Sequence, residues 1–157
     1  MTITSTSFRH HGVIPSRYTC DGQNVSPPLA WTGVPENAKS LVLMVDEPDA
    51  YEPREHKMPR VHWVLYNIPP NTPGLPEGIA AEALPHGTLQ GTNDWDEVGY
   101  RGPCPPTGSH HYVHKLVALN VVLPDLQLPT EAGLETMIHG YTIDRSELIG
   151  RYQRQHS

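Results

Sequence analysis

Proline sets the terms for this chain. Seventeen prolines fall in clusters along 157 residues. Each removes a backbone donor and clashes with the preceding turn of a helix, so long helices are confined to the stretches between the clusters. The longest proline-free stretches are Thr130 to Ser157, Gly87 to Gly102 and Thr107 to Leu123. With thirteen glycines added, the content is high for a globular domain but short of low-complexity chain. The expectation is a mostly β and loop fold, in one domain over residues 1–157, a length that buries a real core.

Charge and hydropathy narrow the classes of function. Eleven Lys and Arg against seventeen Asp and Glu give −6 with histidine neutral, so the chain lacks the basic footprint of a nucleic-acid or anionic-membrane binder. The mean hydropathy is −0.46, and the longest apolar run, Leu41 to Val45, is far too short for an integral membrane helix. Met1 to Gly12 has neither a charged start nor an apolar core, so a cytoplasmic location is the default expectation. Cys20 and Cys104 stand far apart with no CxxC, and in a reducing compartment two thiols are expected. A long-range disulfide stays open if the fold brings them together.

Alternation of side chains says which residues share a face. Ser40 to Val45 is nearly all apolar, as a strand covered on both sides would be, and runs into the acidic turn Asp46-Glu47-Pro48-Asp49. Arg60 to Asn67 sets Val61, Trp63 and Leu65 against His62, Val64 and Tyr66. His110 to Leu123 sets His110, Tyr112, His114, Leu116 and Ala118 against His111, Val113, Lys115, Val117 and Leu119, and reads as a central strand. Two helices are expected near the end. One is Glu131 to His139, with Leu134, Met137 and Ile138. The other is Asp144 to Tyr152, with Leu148, Ile149 and Tyr152, where Asp144 and Glu147 form a capping-box-like pair.

Ten histidines are present, and context divides them. His10, His11, His56 and His156 lie near termini or in a charged loop and read as solvated surface. His62 and His110 begin strands beside proline- and glycine-rich loops, where a rigid scaffold tends to present binding residues. Alone, His62 reads as a satisfied core histidine and the Glu47/Asp49 pair as a turn. Together, an imidazole, a carboxylate and a glycine-proline loop offering backbone N–H groups make a kit for holding a small anion. Zinc finds little support: His110 and His114 are about 13 Å apart along a strand, and HExxH is missing. GxSxG, Walker and GxGxxG motifs are absent, and no cofactor is called for.

The ordered set Thr19-Cys20-Asp21-Gly22-Gln23-Asn24-Val25-Ser26-Pro27-Pro28-Leu29-Ala30-Trp31, Val45-Asp46-Glu47-Pro48-Asp49-Ala50, Val61-His62-Trp63-Val64-Leu65-Tyr66-Asn67-Ile68-Pro69, Gly99-Tyr100-Arg101-Gly102-Pro103-Cys104-Pro105-Pro106, His110-His111-Tyr112 and Glu147-Leu148-Ile149-Gly150 resembles the phosphatidylethanolamine-binding protein family, in its bacterial YbhB/YbcL-type, Raf-kinase-inhibitor-like branch. The resemblance implies an antiparallel β-sandwich-like fold with short C-terminal helices and a small cavity for phosphate or a phosphoryl head group. It implies ligand-binding roles for Glu47, Asp49, His62, Gly102, Pro103, Pro105, His110 and Tyr112, with Tyr141 as a wall residue where the family has histidine. Glu47 stands for the family's first Asp, Tyr51 for its proline and His111 for the arginine of H-R-Y. The expected partner is a small anionic or phosphorylated ligand, in a binding or regulatory, inhibitor-like module. A protein partner and a homodimer are left open. So is a second reading, a small cofactor-free enzyme using the same pocket for acid–base chemistry in cyclisation or dimerisation.

Overall fold

The computed structural model describes residues 1–48 and 60–155 and builds two sheets from them. In chain order the elements are β1 (Thr2–Thr4), β2 (Gly12–Val13), β3 (Leu29–Thr32), β4 (Ser40–Glu47), β5 (Arg60–Ile68), β6 (Gly74–Leu75), β7 (Leu89–Gln90), β8 (His110–Leu119), the helix α1 (Glu131–Ile138) and β9 (Thr142–Tyr152). A three-stranded sheet, β1-β3-β6, packs on one face of a six-stranded sheet ordered β2-β9-β8-β4-β5-β7. All pairings are antiparallel except β2 with β9. No helix among the described residues is long and apolar enough to cross a membrane.

The run expected to be covered on both sides is β4, and all eight of its residues are buried. Period-2 geometry sends Leu41, Leu43 and Val45 into the core between the sheets. Val42 and Met44 go to a second core, where Leu134 and Ile138 of α1 cover the outer face. Each fully buried side chain of this kind contributes about 1.5–3 kcal/mol. Thr130 caps α1 by accepting the Gly133 N–H on its hydroxyl at 3.1 Å. The expected alternation of β8 holds: Tyr112, Leu116 and Ala118 face the inner core, Val117 and Leu119 the outer one.

Four expectations need correction. The segment from Asp144 to Tyr152 is strand β9, paired with β8 from Thr142 to Tyr152. Its signal was the period-2 set Leu148, Gly150 and Tyr152, all buried, and Gly150 hid it by supplying no side chain to count. A Cβ there would lie 2.5 Å from Ile14 Cγ1, so the glycine admits the N-terminal segment. Second, β8 ends at Leu119 rather than Leu123. Asn67 takes Leu123 out of the sheet, donating to its carbonyl at 2.7 Å and accepting its N–H at 2.9 Å. Third, Met137 of α1 is exposed rather than packed.

The fourth correction concerns the cysteines. Cys20 and Cys104 form a disulfide, with their Cα atoms 5.4 Å apart. The fold brings their loops together through three hydrogen bonds: Tyr100 Oη to the Tyr18 carbonyl at 2.7 Å, the Cys20 N–H to the Pro103 carbonyl at 3.1 Å and the Gly102 N–H to Asn24 Oδ1 at 2.8 Å. Because the bond closes a loop of 84 residues, it removes much freedom from the unfolded chain. Replacing Cys104 with Ser should lower the unfolding free energy in urea by about 2–5 kcal/mol. A denaturation curve unchanged by the substitution would show that the three hydrogen bonds alone hold the loops.

Candidate functional site

The end of β4 and the starts of β5 and β8 meet at one end of the larger sheet's central strands, because β4 runs antiparallel to both. That meeting gathers Glu47, His62, His110 and Tyr112. A register irregularity is what includes His62. Val45 pairs with Trp63 and Asp46 with Val61, which leaves His62 as an extra residue of β5. At such a bulge the simple alternation of faces breaks. Val61 therefore packs in the outer core with Val64 and Tyr66, while the His62 ring lies 5.3 Å from that of Tyr112 on the inner side. The face expected from alternation was the opposite one.

Glu47 is the hub, with only 4 % of its surface exposed. Its Oε1 meets His110 Nδ1 in a short contact and accepts the Tyr112 hydroxyl at 3.1 Å. Its Oε2 faces His62 Nε2 at 3.8 Å, an ion-pair distance too long for a direct hydrogen bond. His110 Nε2 donates to the Thr107 carbonyl at 2.9 Å. Both of its nitrogens thus face oxygen atoms. Burial by itself pushes the Glu47 carboxyl up. Contacts with His62, His110 and Tyr112 together outweigh it and hold the group below the ordinary carboxylate range.

His62 is 1 % exposed and pinned from behind. Its Nδ1 donates to the Arg101 carbonyl at 2.5 Å, and the Arg101 N–H returns a bond to the His62 carbonyl at 3.0 Å. A carbonyl can only accept, so the Nδ1 proton is fixed and Nε2 is turned toward Glu47. That Nε2 is buried and has no hydrogen-bond partner among the described residues. Ile14, Pro27, Tyr100 and Pro103 close over the ring from the inner core, and the space they leave has no room for a water molecule. The reachable member of the group is His110, whose side chain is 19 % exposed.

The other expected residues fall out as follows. Pro103 lines the closed cleft, whereas Pro105 is buried but is not among the residues that line it. Gly102 is a glycine because a Cβ would meet the Tyr18 carbonyl oxygen at 2.2 Å. Its N–H donates to Asn24 Oδ1 at 2.8 Å. Tyr141 is not a wall residue: it is 43 % exposed and precedes Thr142, which pairs with Leu119 at the far end of β8 from His110. Asp49, Tyr51, His56 and His156 lie outside the described residues. His10 is more than solvated surface, since its Nδ1 accepts the Ile149 N–H at 3.0 Å. His114 lines the same cleft as His62, and burial pushes it down to about 4, so it is a neutral structural histidine.

Two groups were not anticipated. Trp95 lies edge-on to His62, ring centres 5.0 Å apart, on a turn organised by Asn93, whose Oδ1 accepts the N–H groups of Trp95 and Glu97. A tryptophan two residues after an Asn, in an otherwise polar stretch, was the available signal. Directly behind Glu47, Asp46 carries its charge to the opposite face. There Lys115 Nζ donates to it at 2.5 Å and reaches Glu131 at 3.5 Å, and burial followed by the Asp46 charge pushes the Glu131 carboxyl up to about 8.

Comparisons with known proteins converge. The model of the phosphatidylethanolamine-binding protein family matches residues 4–153. A UPF0098 protein of Methanothermobacter thermautotrophicus is 48 % identical, over 98 % of this chain and 99 % of the relative. A phosphatidylethanolamine-binding protein homologue from Chlamydia trachomatis superposes with a TM-score of 0.91 at 37 % identity, covering 98 % of this chain and 97 % of the other. Escherichia coli YbcL, a member of the mammalian PEBP family, gives 0.89 at 31 % identity, covering 98 % of both chains.

The direction of the Glu47 shift has a pH consequence. A carboxyl whose folded-state value lies below its unfolded value of about 4.5 stabilises fully above that pH, and the contribution is lost as pH falls through the folded value. Urea midpoints of the wild type and Glu47→Gln should therefore differ at pH 7, with the gap closing on acidification below about 4.5. Parallel pH profiles would show that the imidazoles do not stabilise the ionised carboxylate.

Proposed function

The chain belongs to the phosphatidylethanolamine-binding protein family, and from that premise we propose that the Glu47–His62–His110–Tyr112 group binds a small anionic ligand of phosphoryl type. The observation that carries the reading is the buried Nε2 of His62, which has no hydrogen-bond partner among the described residues. Leaving a buried polar atom unpaired costs about 1–3 kcal/mol, a cost that a ligand oxygen at that atom would remove. A protonated Nε2 is a donor suited to an anionic oxygen.

Binding is favoured over acid–base catalysis by the commitments of His110. With Nδ1 on Glu47 and Nε2 on Thr107, this ring has no nitrogen left to exchange a proton with a substrate. Among the described residues His62 Nε2 is then the one nitrogen of these two rings without a hydrogen bond, and a ligand that reaches it has to displace side chains that now bury it. One donor is enough to hold an anion and short of the separate acid and base that a proton relay uses.

Calorimetric titration of the wild type with inorganic phosphate and phosphorylethanolamine should give saturable binding. His62→Gln, which keeps a hydrogen-bonding side chain but no positive charge, should bind at least about tenfold more weakly. Equal binding by the two proteins, or none by the wild type, would remove His62 from the site and this function with it.

A further inference from the structure

Resting on that reading of the site, we propose that Arg60, seated on Trp95, makes the pocket selective for a terminal phosphate, a phosphomonoester dianion, over a phosphodiester.

Three observations support this. First, Arg60 is the direct cross-strand partner of Glu47, and residues paired in this way project from the same face of the sheet. A guanidinium on that face adds a permanent positive charge beside the two imidazoles. Second, the structure seats that guanidinium with its central carbon 5.6 Å from the centre of the Trp95 ring, the same indole that lies edge-on to His62. Arg101 lies over that ring too, at 5.1 Å, but its Nε also donates to Glu97 at 3.2 Å. Its charge is therefore partly balanced, and Arg60 is the cation offered to a ligand. An indole face attracts both cations and offsets their mutual repulsion. The turn that carries Trp95 is held in place: Asn93 is 4 % exposed, accepts two N–H groups on Oδ1 and donates to the Gly99 carbonyl at 3.1 Å. Asp94 next to it accepts the Val61 N–H at 2.7 Å, tying the turn to the start of β5.

Third, the space behind His62 is closed. Ile14, Pro27, Tyr100 and Pro103 leave no room for a water molecule there, so a phosphoryl group at Nε2 has no inward exit for a substituent. A monoester needs one exit, whereas a diester needs two. A monoester also carries a second negative charge above its second ionisation near pH 6, and Arg60 is the group placed to meet it. Arginine's planar fork suits phosphate oxygens better than a lysine ammonium would.

The test uses methyl phosphate and dimethyl phosphate, titrated separately at pH 7.5 into the wild type, Arg60→Gln, Trp95→Phe and Trp95→Ala. The wild type should bind methyl phosphate at least about tenfold tighter than dimethyl phosphate. Arg60→Gln and Trp95→Ala should each bring that ratio to about threefold or less, while Trp95→Phe, which keeps an aromatic face, retains most of it. Arg60 is a half-buried side chain on an intact strand, so its variant carries the test even if Trp95→Ala fails to fold. A wild-type ratio near one, or a ratio untouched by Arg60→Gln, overturns the selectivity while leaving anion binding in place. Binding of neither probe by the wild type overturns both.

Discussion

β4 is covered on both faces and paired along both edges, and the rest of the molecule is arranged to make that burial tolerable. Its backbone is satisfied by β5 and β8, and its apolar residues feed two separate cores. Its last two residues are acids that remain inside, one directed to each face. Taking a carboxylate out of water costs several kcal/mol unless it is paired and hydrogen-bonded, so each acid draws partners to its side. Asp46 has Lys115 and Glu131 under the helix. Glu47 has His110, Tyr112 and, at longer range, His62 on the sandwich side.

The two faces answer the same problem differently. On the helix side a permanent cation bonds directly to Asp46, and the second acid, Glu131, is shifted toward its neutral form. On the sandwich side the partners are two imidazoles and a phenol, and one imidazole nitrogen stands just beyond bonding distance. The first arrangement is internally closed. The second keeps one buried nitrogen without a hydrogen bond among the described residues, which a purely structural ion pair avoids.

Much of this was legible in the residues. Glu47, His62, His110 and Tyr112 were singled out, and the strands that carry them follow from apolar alternation ended by Pro48, by Pro69 and Pro70, and by the glycine-proline loop before His110. What stayed hidden depends on contacts distant in sequence. β9 was hidden because Gly150, the residue that lets Ile14 and Phe8 approach, erased one position of its alternation. The disulfide was hidden because compartment was used to judge two thiols whose meeting depends on how the loops at Tyr18 and Tyr100 dock. Tyr141 was placed by motif order, and its position follows instead from where β8 stops pairing. Trp95 was missed because an indole on a polar turn gains meaning only once His62, Arg60 and Arg101 are seen around it.

The extra residue in β5 has a consequence for anyone who would move this site to another scaffold. On a regular antiparallel sheet a histidine following a valine that packs in the outer core, and preceding an inner tryptophan, has no face of its own. Grafting Glu47, His110 and a histidine at the homologous step would deliver a carboxylate with one imidazole in place of two. Deleting His62, the single residue between Val61 and Trp63, would remove the bulge and the second imidazole together. The transferable unit is a defect in pairing together with the side chains around it.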